Sequence, residues 1–317
     1  MRRTASRWPA PTAQRGAALL VAMVVLTLVT TLASAMVWQQ WRGVQVEAAE
    51  RARTQAAWML IGAADWGRLL LSEDGKTSSV VDELGETWAT PLAEARLSSF
   101  LATDGNAAGD GPEAFLSGRI VDLQSRYNLR RLARPGAFEE ERRVLRRLCG
   151  MAGLSAADAD QLAQRLAQAW DLQATDGPLR PRSVDQLAWF GVPPAALARL
   201  SQWTTVLPRD DTAVNVNTAS REVLLAVVEN LDPATADRLI ASRPHKALPA
   251  LPPTAQVGAG QLSVNTSFFE ILAQLRLDDR VLRQRTVIQR SGSTVTALSR
   301  EPLPLEAEVD VPGWTPR

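Results

Sequence analysis

Few side chains in this sequence are placed to do chemistry. The only histidine, His245, stands beside Lys246 in a proline-rich stretch, and no G-x-S-x-G motif offers it a nucleophile to activate. A solvated loop residue is the simpler reading. The only cysteine, Cys149, rules out an internal disulfide and a multi-cysteine zinc cluster, and it suits a small core residue at a helix end. Neither a Walker-type nor a dinucleotide glycine pattern occurs, which argues against nucleotide use. Asp171 and Asp176 offer oxygen ligands for calcium, a hard cation, and make it a candidate cofactor, although two spaced acids in a loop are more simply solvated.

The stretch VNVNTASREVLL, residues 214–225, has the extended-then-helical order of a helix-hairpin-helix module, a unit that commonly grips phosphates through backbone amides. Its hairpin is unsuited to that task. The connection reads ENLDPA where a phosphate-binding hairpin would carry Gly-x-Gly. Glu229 and Asp232 put carboxylates where a phosphate would sit, and Pro233 lacks an amide proton. The 35 Lys and Arg against 34 Asp and Glu, a net charge of +1, provide no basic surplus for nucleic acid. A structural or protein-contact module is favoured. The alternative, a membrane-tethered helix-hairpin-helix DNA-binding protein, rests on Arg238 and Arg243 and requires salt-dependent DNA binding.

The elements that would position these residues follow from pattern. Apolar spacing and caps predict helices over 138–149 closed by Gly150, 156–170 begun by Ser155, and 184–190 with Ser183 and Gln186 as a capping box. Further helices are expected over 194–203, 221–229 and 234–242, the last capped by Asp232 and Pro233. A short helix is expected near 91–101. Strands are expected in "SGRIVDLQSRYNL", where Ile120 and Asp122 share a face, and in "LSVNTSFFEILAQL", "RVLRQRTVIQR" and "STVTALSRE". The last two meet at a turn over 291–293. A helical block between strand-bearing stretches reads as an insertion into a sheet domain. The aromatics Trp189 and Phe190 are expected to be buried beneath it.

The N-terminus carries the strongest signal. No charged residue occurs between Arg15 and Arg42, a run long enough to cross a bilayer. Arg2, Arg3, Arg7 and Arg15 precede it and Glu47 and Glu50 follow, so the positive-inside rule places the N-terminus in the cytoplasm. Three readings compete: a plain anchor, a secretory signal cut after Ala35, and a prepilin-type leader cut after Gly16. The apolar run is longer than the roughly 7–15 residues usual for a secretory signal core. Beyond it Val37, Trp41, Val44, Ala48 and Ala52 keep three-four spacing, so one helix continues as an amphipathic stem.

The short leader ending in glycine, the apolar helix and its continuation resemble the type IV pilin and pseudopilin superfamily. With "GRIVDLQSRYNLRRL", "VDQLAWFGV", "VNVNTAS" and "SFFEILA" in order, the chain resembles one family within it, the K subunit of type II secretion, a minor pseudopilin. Two departures stand out: Arg130 replaces the second asparagine of the family's Asn-Leu-Asn turn, and its acid-dense loop is reduced to "WDLQATDG".

The resemblance implies an α+β fold, with a type IV pilin-like long N-terminal helix, a small antiparallel sheet and a large helical insertion of SAM or helix-hairpin-helix type. The expected divisions are a leader at 1–16, a transmembrane and stem helix at 17–71, sheet-domain parts at 72–133 and 251–301, the insertion at 134–250, and a tail at 302–317. It also implies a non-enzymatic subunit cut after Gly16 by a prepilin peptidase and N-methylated on Ala17. Its partners would be the I and J minor pseudopilins, the pseudopilus and the inner membrane, with the C-terminal domain in the periplasm and no nucleic acid. The family's fifth mature residue is usually glutamate; here it is Val21, which points to the tip of the filament.

Overall fold

A computed structural model describes residues 15–77, 81–97, 113–171, 173, 176–277 and 280–304. The leader before Arg15, the "DGNAAGDG" loop and the tail beyond Pro304 lie outside them. Helix α1 covers Arg15–Thr77 and is uninterrupted beyond Leu71. The chain divides into two units, 1–58 and 59–317. In the first, the helix surface from Ala17 through Trp41 is apolar and exposed.

In the second unit a five-stranded antiparallel sheet has the order β1-β2-β7-β8-β9, with β1 at Leu92–Arg96, β2 at Ala114–Asp122, β7 at Phe268–Leu277, β8 at Arg280–Ser291 and β9 at Thr294–Leu303. Leu71 of α1 joins Trp88, Ile120, Phe269, Ile271, Ile288 and Val295 in the core on one sheet face. Contact there is close enough that a methyl group at Gly67 would lie 2.8 Å from the Ile271 side chain. Ser72 Oγ donates to the Ser293 carbonyl at 2.8 Å and holds the helix end to the β8–β9 turn. Gly292 adopts the positive φ that this turn requires.

Of the helix expected near 91–101, residues 92–96 are a strand instead, and 98–101 lie outside the described residues. "LAEAR" is strand β1, because pairing with β2 satisfies its backbone, while Arg96–Glu113 and Arg276–Glu94 ion pairs hold its charges. "LSVNTSFFEILAQL" divides into a two-residue strand β6, Leu262–Ser263, and β7. Between them the Thr266 N–H donates to Asp82 instead of to a ladder, at 2.6 Å.

Between β2 and β7, adjacent in the sheet, the chain makes the helical insertion. Helix α2 is Phe138–Ala152, α3 Ala156–Trp170, α4 Pro194–Trp203, α5 Arg221–Val227 and α6 Pro233–Ala241. Two pairs of two-residue strands accompany them: β3 at Tyr127–Asn128 pairs with β4 at Thr204–Thr205, and β5 at Val214–Asn215 pairs with β6. Helix α2 passes through Gly150 and stops at Gly153. There φ is +92°, and the Gly153 and Leu154 N–H groups close back on the last turn, Leu154 onto the Cys149 carbonyl. Residues 184–190 form a 3₁₀ helix without a capping box: Ser183 makes no cap bond, and Gln186 accepts from the Arg182 N–H. Val144, Leu145, Leu148, Leu162 and Leu166 fill the core between α2 and α3, each worth about 1.5–3 kcal/mol of burial. Cys149 is fully buried there, and burial pushes its thiol pKa up to about 12. Phe190 is buried as expected, but Trp189 is exposed.

Two buried polar centres organise the insertion. Arg131 and Glu141, almost wholly excluded from solvent, pair at 2.6 Å. Arg131 also donates to the Thr212 and Gly260 carbonyls, and Glu141 accepts from the Tyr127 hydroxyl at 2.9 Å. Burial and the adjacent Glu141 hold the Tyr127 pKa well above its ordinary value. The second centre joins insertion to sheet. Asp122, the last residue of β2, accepts from the Gln124 N–H and Thr266 Oγ1 on one oxygen, and from Asn215 Nδ2 and Thr218 Oγ1 on the other. Burial raises its pKa, while these four neutral donors oppose the rise.

Truncating either centre strands its partners. Arg131→Met leaves Glu141 buried without a cation, and its expected cost is about 3–5 kcal/mol in a urea unfolding midpoint of the detergent-solubilised chain. Asp122→Ala leaves four donors unmatched. It should cost about 3 kcal/mol and make the insertion cleavable by protease before the sheet, and a variant with wild-type stability would show that water replaces the carboxylate there.

Candidate functional site

Three places invite a functional reading: the N-terminal span, the hairpin over 214–243, and the grouped carboxylates at the end of the stem. In the span, Ala17 and Val21 lie in α1 on exposed helix surface, and Gly16 lies in the same helix. The helix is long and apolar enough to cross a membrane. Thr27, Thr30 and Thr31 turn their hydroxyls onto carbonyls three or four residues back, which satisfies them inside the helix. Trp38 and Trp41 follow, with the Arg42 guanidinium 5.8 Å above the Trp38 ring.

The hairpin is built as the sequence suggests, and many of its polar groups bond within the insertion. Ser220 caps α5 and Asp232 caps α6, accepting from the Thr235 N–H at 2.9 Å. Two amides flanking the connection are already engaged: Thr235 by Asp232, and Glu229 by the Gln256 carbonyl at 2.7 Å. The Glu229 carboxylate lies 3.6 Å from Arg143 and 3.7 Å from Arg147 of α2. Its role is to tie the hairpin to α2.

The basic side chains are equally committed. Arg243 donates to the Val216 and Ala219 carbonyls at 2.7 and 2.5 Å, Arg238 to Thr235 Oγ1, and Arg221 pairs with Asp237. His245 is half-buried rather than solvated: its ring nitrogen Nε2 lies 2.8 Å from the Leu239 carbonyl, and its N–H donates to Asn217. Asn215 uses both its side-chain N–H groups, donating to Asp122 and the Asp82 carbonyl, and its oxygen accepts from the Asn217 N–H. The "VNVN" segment is thus a fastener between insertion and sheet. Sequence reasoning missed this role of Asn215 and Asp122, although a carboxylate on the face of Ile120 was a usable signal.

Asp171 and Asp176 both lie exposed on the loop after α3, where Asp171 accepts from the Gln173 N–H at 2.9 Å. Two carboxylates supply at most four of the six to eight oxygens calcium takes. Among the described residues, carboxylates converge elsewhere: Asp74, Asp82 and Glu86 each bring an oxygen within 4.8 Å of the others. The Arg290 guanidinium already bonds Asp74 and Asp82 there, taking the place a cation would occupy.

Comparison with known proteins follows this geometry. Residues 214–265, the hairpin and its fastener, match the family model described as type II secretion system protein K. The type II secretion system protein K of Pseudomonas aeruginosa is 29% identical over 302 residues, covering 84% of this chain and 86% of that protein. That of Pectobacterium carotovorum is 24% identical over 91% of this chain and 96% of the relative. Among solved structures, the GspK-GspI-GspJ complex of the enterotoxigenic Escherichia coli type 2 secretion system superposes with a TM-score of 0.61 at 18% identity, over 81% of this chain and 98% of the matched one, which shows a shared pilin-like fold. With relatives matching over most of their length and the family segment falling on the joint between insertion and sheet, the chain is similar to type II secretion system protein K in sequence and in fold.

Proposed function

We propose that this chain is a non-enzymatic subunit that caps the pseudopilus of type II secretion and helps to initiate its assembly. It is held in the inner membrane by residues 17–37 with the C-terminal domain in the periplasm, cut after Gly16 by a prepilin peptidase and N-methylated on Ala17. The observation that carries this reading is Val21, an apolar side chain on a helix without a charged residue between Arg15 and Arg42. A carboxylate at that depth costs on the order of 2.5–3.5 kcal/mol unless partnered, and the family's partner is the amine of a neighbouring subunit. A subunit at the end of the filament lacks that neighbour, so valine is the stable choice.

The insertion between β2 and β7 supports the same conclusion, because a bulky head is hard to repeat along a tightly packed shaft. The solved complex of the Escherichia coli relative with GspI and GspJ supports partnership with the I and J minor pseudopilins. The committed arginines of the hairpin favour this reading over tethered DNA binding.

Intact mass and N-terminal sequencing, with and without a prepilin peptidase, should give a mature chain that starts at methylated Ala17 only when the peptidase is present. A start at Met36 would mean a discarded signal and would sink the filament reading. In filaments assembled with an epitope-tagged chain, label is expected at one end alone; label spaced along the shaft would remove the cap.

A further inference from the structure

The carboxylates at the end of the stem outnumber the cation that serves them. Asp74 comes from the last turns of α1, Asp82 and Glu86 from the segment that follows, and Arg290 from β8. Arg290 bonds Asp74 and Asp82 and lies 4.7 Å above the Phe269 ring, so it is fixed in place. Glu86 receives nothing from it. Its Oε2 accepts both the Glu83 N–H at 3.0 Å and the Trp88 indole N–H at 2.7 Å, neither of them a cation. Three negative charges around one guanidinium, within 4.8 Å and partly buried, leave an excess that a proton relieves.

We propose that Glu86 retains a proton in the folded protein, which removes its charge repulsion of Asp74 and Asp82, so that the end of the stem is held more firmly to the sheet as pH falls. The groups facing Glu86 are Asp74 from α1, Asp82 and Glu83 from its own segment and Arg290 from β8, and the single cation among them is already divided. Burial is the largest influence raising the Glu86 pKa above its ordinary 4.5, with the charges of Asp74 and Asp82 adding to it. Asp74 is raised in the same way, chiefly by burial. The sign follows directly. Between the ordinary value and the raised one the folded chain holds a proton that the unfolded chain has lost, so stability is greatest below 4.5 and declines as pH rises through the folded value.

The test is urea unfolding of the full chain in detergent at pH steps upward from 4.5, comparing wild type with Glu86→Gln and Asp74→Asn. Glutamine keeps an acceptor for Glu83 and Trp88 and, like the protonated carboxyl, carries no charge. The wild-type unfolding constant is expected to fall by up to about tenfold per pH unit as pH falls from the raised value toward 4.5. Glu86→Gln should lose that part of the slope and match or exceed wild type near the alkaline end. Asp74→Asn, which removes one of the repelling charges, should also flatten the slope. A Glu86→Gln chain that keeps the full wild-type slope overturns the proposal. Failure of both variants to fold also overturns it, because the glutamine mimics the protonated state. Contributions from Asp122, present in all three chains, cancel in the comparison.

Discussion

A carboxylate sunk where sheet meets insertion, without a cation beside it, must be satisfied by neutral donors, and those donors must arrive from every segment that meets there. Asp122 draws them from the turn after its own strand, from the hairpin entry at Asn215 and Thr218, and from Thr266 at the return to β7. No one of these segments can satisfy it alone. The insertion therefore folds against the sheet in one arrangement or leaves a buried charge exposed to a cost of several kcal/mol. This constraint explains how β2 and β7 remain paired in register, Ile120 opposite Ile271, although a helical domain separates them in sequence.

Charge is spent internally throughout the insertion. Arg131 closes on Glu141, Arg143 and Arg147 reach Glu229, and Arg243 binds the carbonyls that end the "VNVN" segment. A nearly neutral chain can still contain many arginines if each has a local partner. In a phosphate-binding hairpin the same positions would face outward with free amides and glycines. Here the geometry of the module survives and its donors have been redirected to hold it against α2 and the sheet.

The end of the stem is held by a different balance. Arg290, Asp74 and Asp82 link α1, the following segment and β8, and Ser72 adds a bond to the hairpin turn. Asp82 also accepts from the Thr266 N–H, and its carbonyl accepts from Asn215. Stem, sheet and insertion are thus connected through two neighbouring polar centres, Asp122 and Asp82.

The sequence alone determined the long apolar helix, the caps at Ser155 and Asp232, and the turn at Gly292, because these depend on side chains within a few residues of each other. It also revealed the ordered motifs of the family. Tertiary structure decided the rest: "LAEAR" became a strand because β2 offered it a ladder, and α2 ran past Gly150 because only Gly153 reaches the left-handed geometry that ends it. The partners of Asp122, Glu229 and Arg290 come from segments far apart in the chain, and local pattern carries no information about which of them will meet. Periodicity records what each segment must bury; the pairing of buried polar groups is fixed only when those segments pack.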